Sequence, residues 1–141
     1  MPSGFEFRKN VKKNMKVEIS VGELVDKVTI LEIKLEKIQK SSKLANIRKE
    51  YGILHRSMNE VGIDSGSQDF RKLKEINREL WDIENRIRVK ESKHEFDRKF
   101  IELARKVYFC NDERAAIKRK INLKYSSAVI EEKEYADYNR S

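Results

Sequence analysis

The stretch VGELVDKVTILEIKLEKI, residues 21–38, carries the pattern on which the fold turns. Val21, Leu24, Val28, Leu31, Leu35 and Ile38 recur at spacings of 3, 4, 3, 4 and 3. That repeat keeps six apolar side chains on one seam of an α-helix about 30 Å long. Just upstream, Ser20 and Glu23 make a capping box, and Ile19 and Leu24 occupy the staple positions on either side of it, so the helix is expected to start at Ser20.

Beyond the polar link QKSSK the same rhythm returns in Leu44, Ile47, Tyr51, Leu54, Met58 and Val61. Two matching stripes on a short link predict an antiparallel helical hairpin. Residues 62–69, GIDSGSQD, hold two Gly and several cap-forming residues, which marks a loop. A third stripe follows in Leu73, Ile76, Leu80, Ile83 and Ile87. Phe96, Phe100, Leu103 and Val107 form a fourth, displaced by one residue from the phase of the third. Ser92 and Glu95 offer a second capping box at the displacement, so a new helix is expected near Lys93.

In CNDERAAIKRKIN, residues 110–122, Arg114 takes the place where the fourth stripe should continue. Asn111 and Asp112 are good N-cap residues, so a short fifth helix carrying Ile117 and Ile121 is expected there. At the two ends, Val17 and Ile19 alternate with charged residues, and Val129 and Ile130 are placed to pair with them as a small two-stranded sheet. Residues 1–14 combine Gly, Pro and a basic run without hydrophobic period and read as a flexible basic leader, with residues 15–141 as one helical domain.

The totals agree with this all-α reading. The chain has 141 residues, enough for one core, and Pro2 is its only proline, which suits long helices. Cys110 is its only cysteine, so no intramolecular disulfide can form. The sequence shows neither a signal peptide nor a run of about 18 apolar residues. A cytoplasmic setting is therefore expected, with no membrane association. The net charge of +8 divides into +4 over residues 1–16, +6 over residues 17–130 and −2 over residues 131–141. Through the long middle span acidic and basic residues interleave as they do on solvated helix faces. Without a nucleic-acid motif or aromatic interleaving, nucleic acid ranks last among partners.

Arg114, Lys118 and Asn122 stand at i, i+4 and i+8 and form one polar row beside Ile117 and Ile121. Read as a site, Arg114 and Lys118 receive a phosphate or carboxylate that Asn122 orients, with Trp81 and Glu84 as an aromatic wall and polar rim. Read as structure, Arg114 pairs with Glu32 or Glu84 inside the bundle, and Trp81 serves a widened core or an interface. Glu79 and Asp82 form an ExxD pair similar to the magnesium helices of all-α nucleotide pyrophosphohydrolases, but the upstream partner is missing, and the ExxE pair Glu131 and Glu134 lies in the tail. His55, His94 and Cys110 fall on separate elements without metal-ligand spacing. No metal and no cofactor is expected, and no catalytic constellation is complete.

Ile30, Ile33 and Ile53 lie off the seams of the first two helices. Either further helices pack on both sides of the hairpin or these residues form a self-association patch, with a homodimer as the leading assembly. The blocks VEISVGELVDKVTILEIKLEKI, KLANIRKEY, LWDIENRIRVKE, FIELARKVY, NDERAAIKRKIN and EEKEYADY together resemble a family of short stand-alone bacterial and phage proteins, a domain of unknown function, over Met15–Tyr138. The resemblance implies no activity. Two expectations remain open: a non-enzymatic, self-associating helical scaffold or adaptor with a protein partner, and a small-anion-binding bundle, an enzyme among its forms.

Overall fold

The computed structural model describes residues 13–138. Its element order is α1 (Val21–Lys37), α2 (Ser41–Glu60), α3 (Gln68–Ser92) and α4 (Arg98–Lys124), and the described residues contain no strand. The protein is all-α, a small helical bundle, as the seams predict. All but two residues of the basic leader expected at 1–14 lie outside the described residues.

The start of α1 follows its sequence signals. The Ser20 hydroxyl accepts a hydrogen bond from the Glu23 backbone N–H at 3.1 Å, and Ile19 packs on the core that holds Leu24. Three residues separate α1 from α2, too few for anything but an antiparallel return. Gly62 closes α2 at φ +92°, with the Ile63 N–H donating to the Met58 carbonyl at 3.3 Å. Such a left-handed C-terminal position is one that glycine adopts without a Cβ clash. Ser67 then caps α3 by accepting from the Phe70 N–H at 3.3 Å.

The long helices α3 and α4 run antiparallel. Asp69 in the first turn of α3 faces Lys120 and Lys124 at the end of α4, at 3.4 and 3.6 Å. At the opposite end, Lys90 in the last turn of α3 meets Asp97, the N-cap of α4, at 2.9 Å. α1 is the hub, packing on α2 on one side and on both α3 and α4 on the other. Leu24, Val25, Val28, Met58, Phe70, Leu73 and Ile121 form the main core. A second cluster of Leu80, Ile83, Leu103 and Cys110 lies between α3 and α4 alone, with Ile76, Ile87 and Val107 packed against it.

Three expectations need correction. A helix boundary does fall near Lys93, but the new helix starts at Arg98 and Asp97 caps it, accepting from the Phe100 N–H at 3.0 Å. Ser92 instead donates to the Val89 carbonyl within α3, and His94 at φ +54° turns the chain. No boundary exists at Asn111 and Asp112: α4 runs unbroken for 27 residues. The Asn111 side chain receives a hydrogen bond from Arg114 rather than from a helix N-terminus. The small sheet is also absent, since Val17, Val129 and Ile130 are exposed and carry no strand. Where the two ends approach, the Val21 N–H donates to the Ser127 hydroxyl at 3.1 Å, and Ile19 and Tyr125 pack on the same core.

Candidate functional site

The predicted polar row is real, and it faces α1. Down one side of α4, Arg114, Lys118 and Asn122 meet Asp26, Glu23 and Gly22 in that order. Asp26, 1 % exposed, accepts from both Nε and Nη2 of Arg114, at 2.8 and 2.5 Å. This two-pronged geometry is the strongest form of such a pair. Asn77 of α3 donates to the same carboxylate at 2.9 Å and to the Thr29 hydroxyl at 2.8 Å. Thr29 in turn donates to the Asp26 carbonyl. The hydrogen bond and charge of Asp26 hold the Arg114 guanidinium above its ordinary pKa against the opposing effect of burial.

One turn on, Lys118 donates to Glu23 at 2.7 Å and to Glu131 of the C-terminal tail at 3.2 Å. Burial pulls this ammonium down, yet Glu23, Asp26 and Glu131 outweigh it and leave its pKa raised. Another turn on, the buried Asn122 accepts from the Gly22 N–H at 2.6 Å. The backbones approach closely here: a Cβ on Gly22 would run into the Lys118 carbonyl. Glycine at 22 is what lets α1 lie against α4 and bring the charged groups within reach.

Among the described residues every buried side-chain nitrogen and oxygen has a partner. The row is therefore a satisfied internal network, with charges held in pairs as burial demands. Glu32 and Glu84 are not its counter-ions. Glu32 serves a separate cluster, accepting from Lys74 at 2.8 Å and from Tyr51 at 3.0 Å. Glu84 is exposed and bonds Arg88 on its own helix. Trp81 is half-buried on α3. The structure thus brings Arg114, Lys118 and Asn122 together along one face, and places Trp81 and Glu84 outside that network.

Of the other candidates, Ile33 is interior at 1 % exposure, Ile30 is half-buried and Ile53 is 50 % exposed on α2. Helices do pack on both sides of α1, and this uses Ile33. Burial, with Glu79 and Glu113 nearby, pushes the Cys110 thiol up to about 11, so it is not a thiolate at neutral pH. No group of three His, Cys, Asp or Glu side chains suited to a metal occurs among the described residues. No described helix is long and apolar enough to cross a membrane.

The partners that sequence reasoning missed are Asp26, Glu23, Thr29, Asn77 and Glu131. A signal for two of them exists: Asp26 and Thr29 lie in the series Gly22, Asp26, Thr29, Ile33 and Glu36, which recurs at spacings of 4, 3, 4 and 3, a second seam on α1 made mostly of small and polar residues.

Fold and network together define a helical bundle, of four helices among the described residues, whose central helix is clamped by ion pairs. Residues 15–139 match the "Family of unknown function (DUF6165)", and the chain belongs to this family. Neither the curated proteins nor the solved structures contain a match to it.

Proposed function

We propose that the protein is a non-enzymatic, self-associating helical scaffold of the bacterial or phage cytoplasm, and that two copies pair through the outer half of the α3–α4 hairpin. The observation that carries this reading is the reach of α1. Its hydrogen bonds and ion pairs meet α3 at Lys74, Asn77, Arg78 and Asp82, and α4 at Arg114, Lys118 and Asn122. Beyond those anchors, residues 83–113 form a two-helix projection around Ile83, Ile87, Leu103, Val107 and Cys110 of the second cluster.

On this projection Val89, Phe96 and Ile101 are 45 %, 56 % and 56 % exposed. A depression of about 340 Å³ runs between the helices, with Ile87, Phe100 and Val107 along it and Glu84, Arg88 and Glu91 at its rim. An apolar floor with a rim of both signs suits a symmetric mate, because a rotated copy sets Arg88 against acidic groups. Charge favours a second copy as well: residues 83–113 carry 8 basic and 7 acidic groups, so +7 of the chain's +8 lies elsewhere. Two copies meet there with least repulsion. The face is about 20 Å long and two helix diameters wide, which fits the low end of specific interfaces, about 600 Å² per partner.

Sedimentation equilibrium on the full chain tests this. A reversible dimer is expected, dissociated by Arg88→Glu and by Ile87→Glu, with helical content retained, and left intact by Ile53→Glu. A chain that stays monomeric at every concentration, or a dimer broken only by Ile53→Glu, overturns the proposed surface.

A further inference from the structure

Past α4 the chain reverses and returns along the helix it has just left. Ser126, at φ +52°, makes the turn, and the Ser127 N–H donates to the Asn122 carbonyl at 2.8 Å. The segment 128–138 has no regular structure and is exposed along its whole length. Side chains fasten it to α4. Glu131 accepts from Lys118 at 3.2 Å and Glu132 from Arg119 at 2.8 Å. Six residues beyond Glu132, Tyr138 bonds Asp112 and packs its ring on Tyr108 and Phe109, with centroids 5.4 and 5.8 Å apart.

Under the two glutamates the wall of α4 is formed by Ala115 and Ala116, side chains short enough for an extended backbone to lie close. With Lys118 and Arg119 they bound a groove of about 310 Å³ that Glu131, Glu132 and Lys133 line from the other side. Consecutive carboxylates on a segment without regular structure, met by adjacent cations on a helix, are the recognition chemistry of an acidic peptide. The tail binds weakly by its nature: Arg119 and Glu132 are 48 % and 72 % exposed, and ion pairs of that exposure contribute little each.

We propose that the α4 surface from Ala115 to Arg119 is a receptor site for an acidic peptide segment of a partner protein, and that the chain's own residues 131–133, which close the groove from its outer side, cover that surface as a tethered competitor. Glu131 and Glu132 stand in for the carboxylates of the incoming segment. Tethering gives the tail a high effective concentration, so a partner must offer more contacts than the tail or arrive when the tail is displaced. The site is separate from the self-association face and does not depend on it. Arg119 is its exposed, readily exchanged cation, whereas Lys118 is committed on its inner side to Glu23.

The test uses full-length protein and a fluorescent peptide of the tail's own sequence, AVIEEKEYA, residues 128–136, with anisotropy as the readout. Weakening the competitor by Glu131→Gln and Glu132→Gln together is expected to tighten peptide binding about tenfold relative to the unaltered chain. Adding Arg119→Glu to that variant is expected to abolish binding, and raising salt to weaken it. Equal affinity for both chains, no binding to the double variant, retention of binding with Arg119→Glu, or loss of the helical fold in the double variant overturns the proposal. So does displacement of the probe by inorganic phosphate as readily as by unlabelled peptide, which makes the groove a simple anion site.

Discussion

The two halves of the α3–α4 hairpin are built from similar helices and solved in opposite ways. The inner half, under α1, buries polar and charged groups: Lys118 and Asn122 are 7 % and 2 % exposed, Asp26 of α1, which faces this half, is 1 % exposed, and each is partnered. The outer half buries only a thin apolar layer and leaves Val89, Phe96 and Ile101 in solvent. An ion pair inside a bundle adds little net stability over an apolar pair of the same shape, but it penalises every wrong register, because a shifted helix strands a charge. The inner half is thus fixed in one arrangement. The outer half, held by apolar contacts alone in its second cluster, is where the proposed pairing with a second copy falls.

The largest expected effect breaks the inner half. Asp26→Ala leaves Arg114 partly buried with no carboxylate and Asn77 without one of its two acceptors, and is expected to cost about 3–5 kcal/mol. Urea unfolding monitored by circular dichroism measures it. Arg114→Ala should cost a similar amount, and the double variant should be far from the sum of the two. If Asp26→Ala costs less than about 1 kcal/mol, the network is ornamental and the contrast between the halves fails.

A smaller effect is expected in the outer half. Leu103 is 1 % exposed in the second cluster. Leu103→Ala removes about 2–3 kcal/mol, toward the lower end of such truncations, since a thin layer can collapse around the gap. Native-state hydrogen exchange sharpens the comparison by showing where the loss falls. Amides of residues 83–113 should lose protection before those of α1, as a separate unit would. Uniform loss over all four helices would make the hairpin and its anchor one cooperative unit.

What the sequence revealed divides along the same line. Apolar seams at alternating spacings of 3 and 4 place α1, α2 and α3, because a helix signals its buried face by what it keeps out of water. The second seam of α1, with Asp26 and Thr29 in it, stays hidden to any reading that follows apolar residues alone. Arg114 stood out as a break in a stripe, yet its partner lies 88 positions away, and nothing local in the sequence selects Asp26 over Glu32. Asn111 and Asp112 have the chemistry of an N-cap, but side chains that cap a helix also sit within one when a neighbour such as Arg114 takes up the oxygen. The phase shift after Ile87 did mark the turn into α4. The capping box at Ser92 and Glu95 set the start too early, because Asp97, a residue equally suited to cap, takes the Phe100 N–H instead.

The smallest effect concerns alkali, and it tells the halves apart by charge. Burial and the bond to Glu32 push the Tyr51 hydroxyl up to about 12, against an ordinary value near 10. Burial opposes the charge on Lys74, but its bonds to Glu32 and Glu36 outweigh that and raise it too. Both groups are then more protonated in the folded chain than in the unfolded one at high pH. Their contribution is complete below the unfolded pKa and disappears as pH climbs through the folded one. Stability should therefore fall from about pH 10 to about pH 12, and the first protection lost should be where α1 meets α2 and α3. Tyr51→Phe should cost about 1 kcal/mol at neutral pH and flatten the alkaline slope. A slope unchanged by Tyr51→Phe would move the alkaline sensitivity to the lysines and leave the Tyr51–Glu32 bond with no part in anchoring α2.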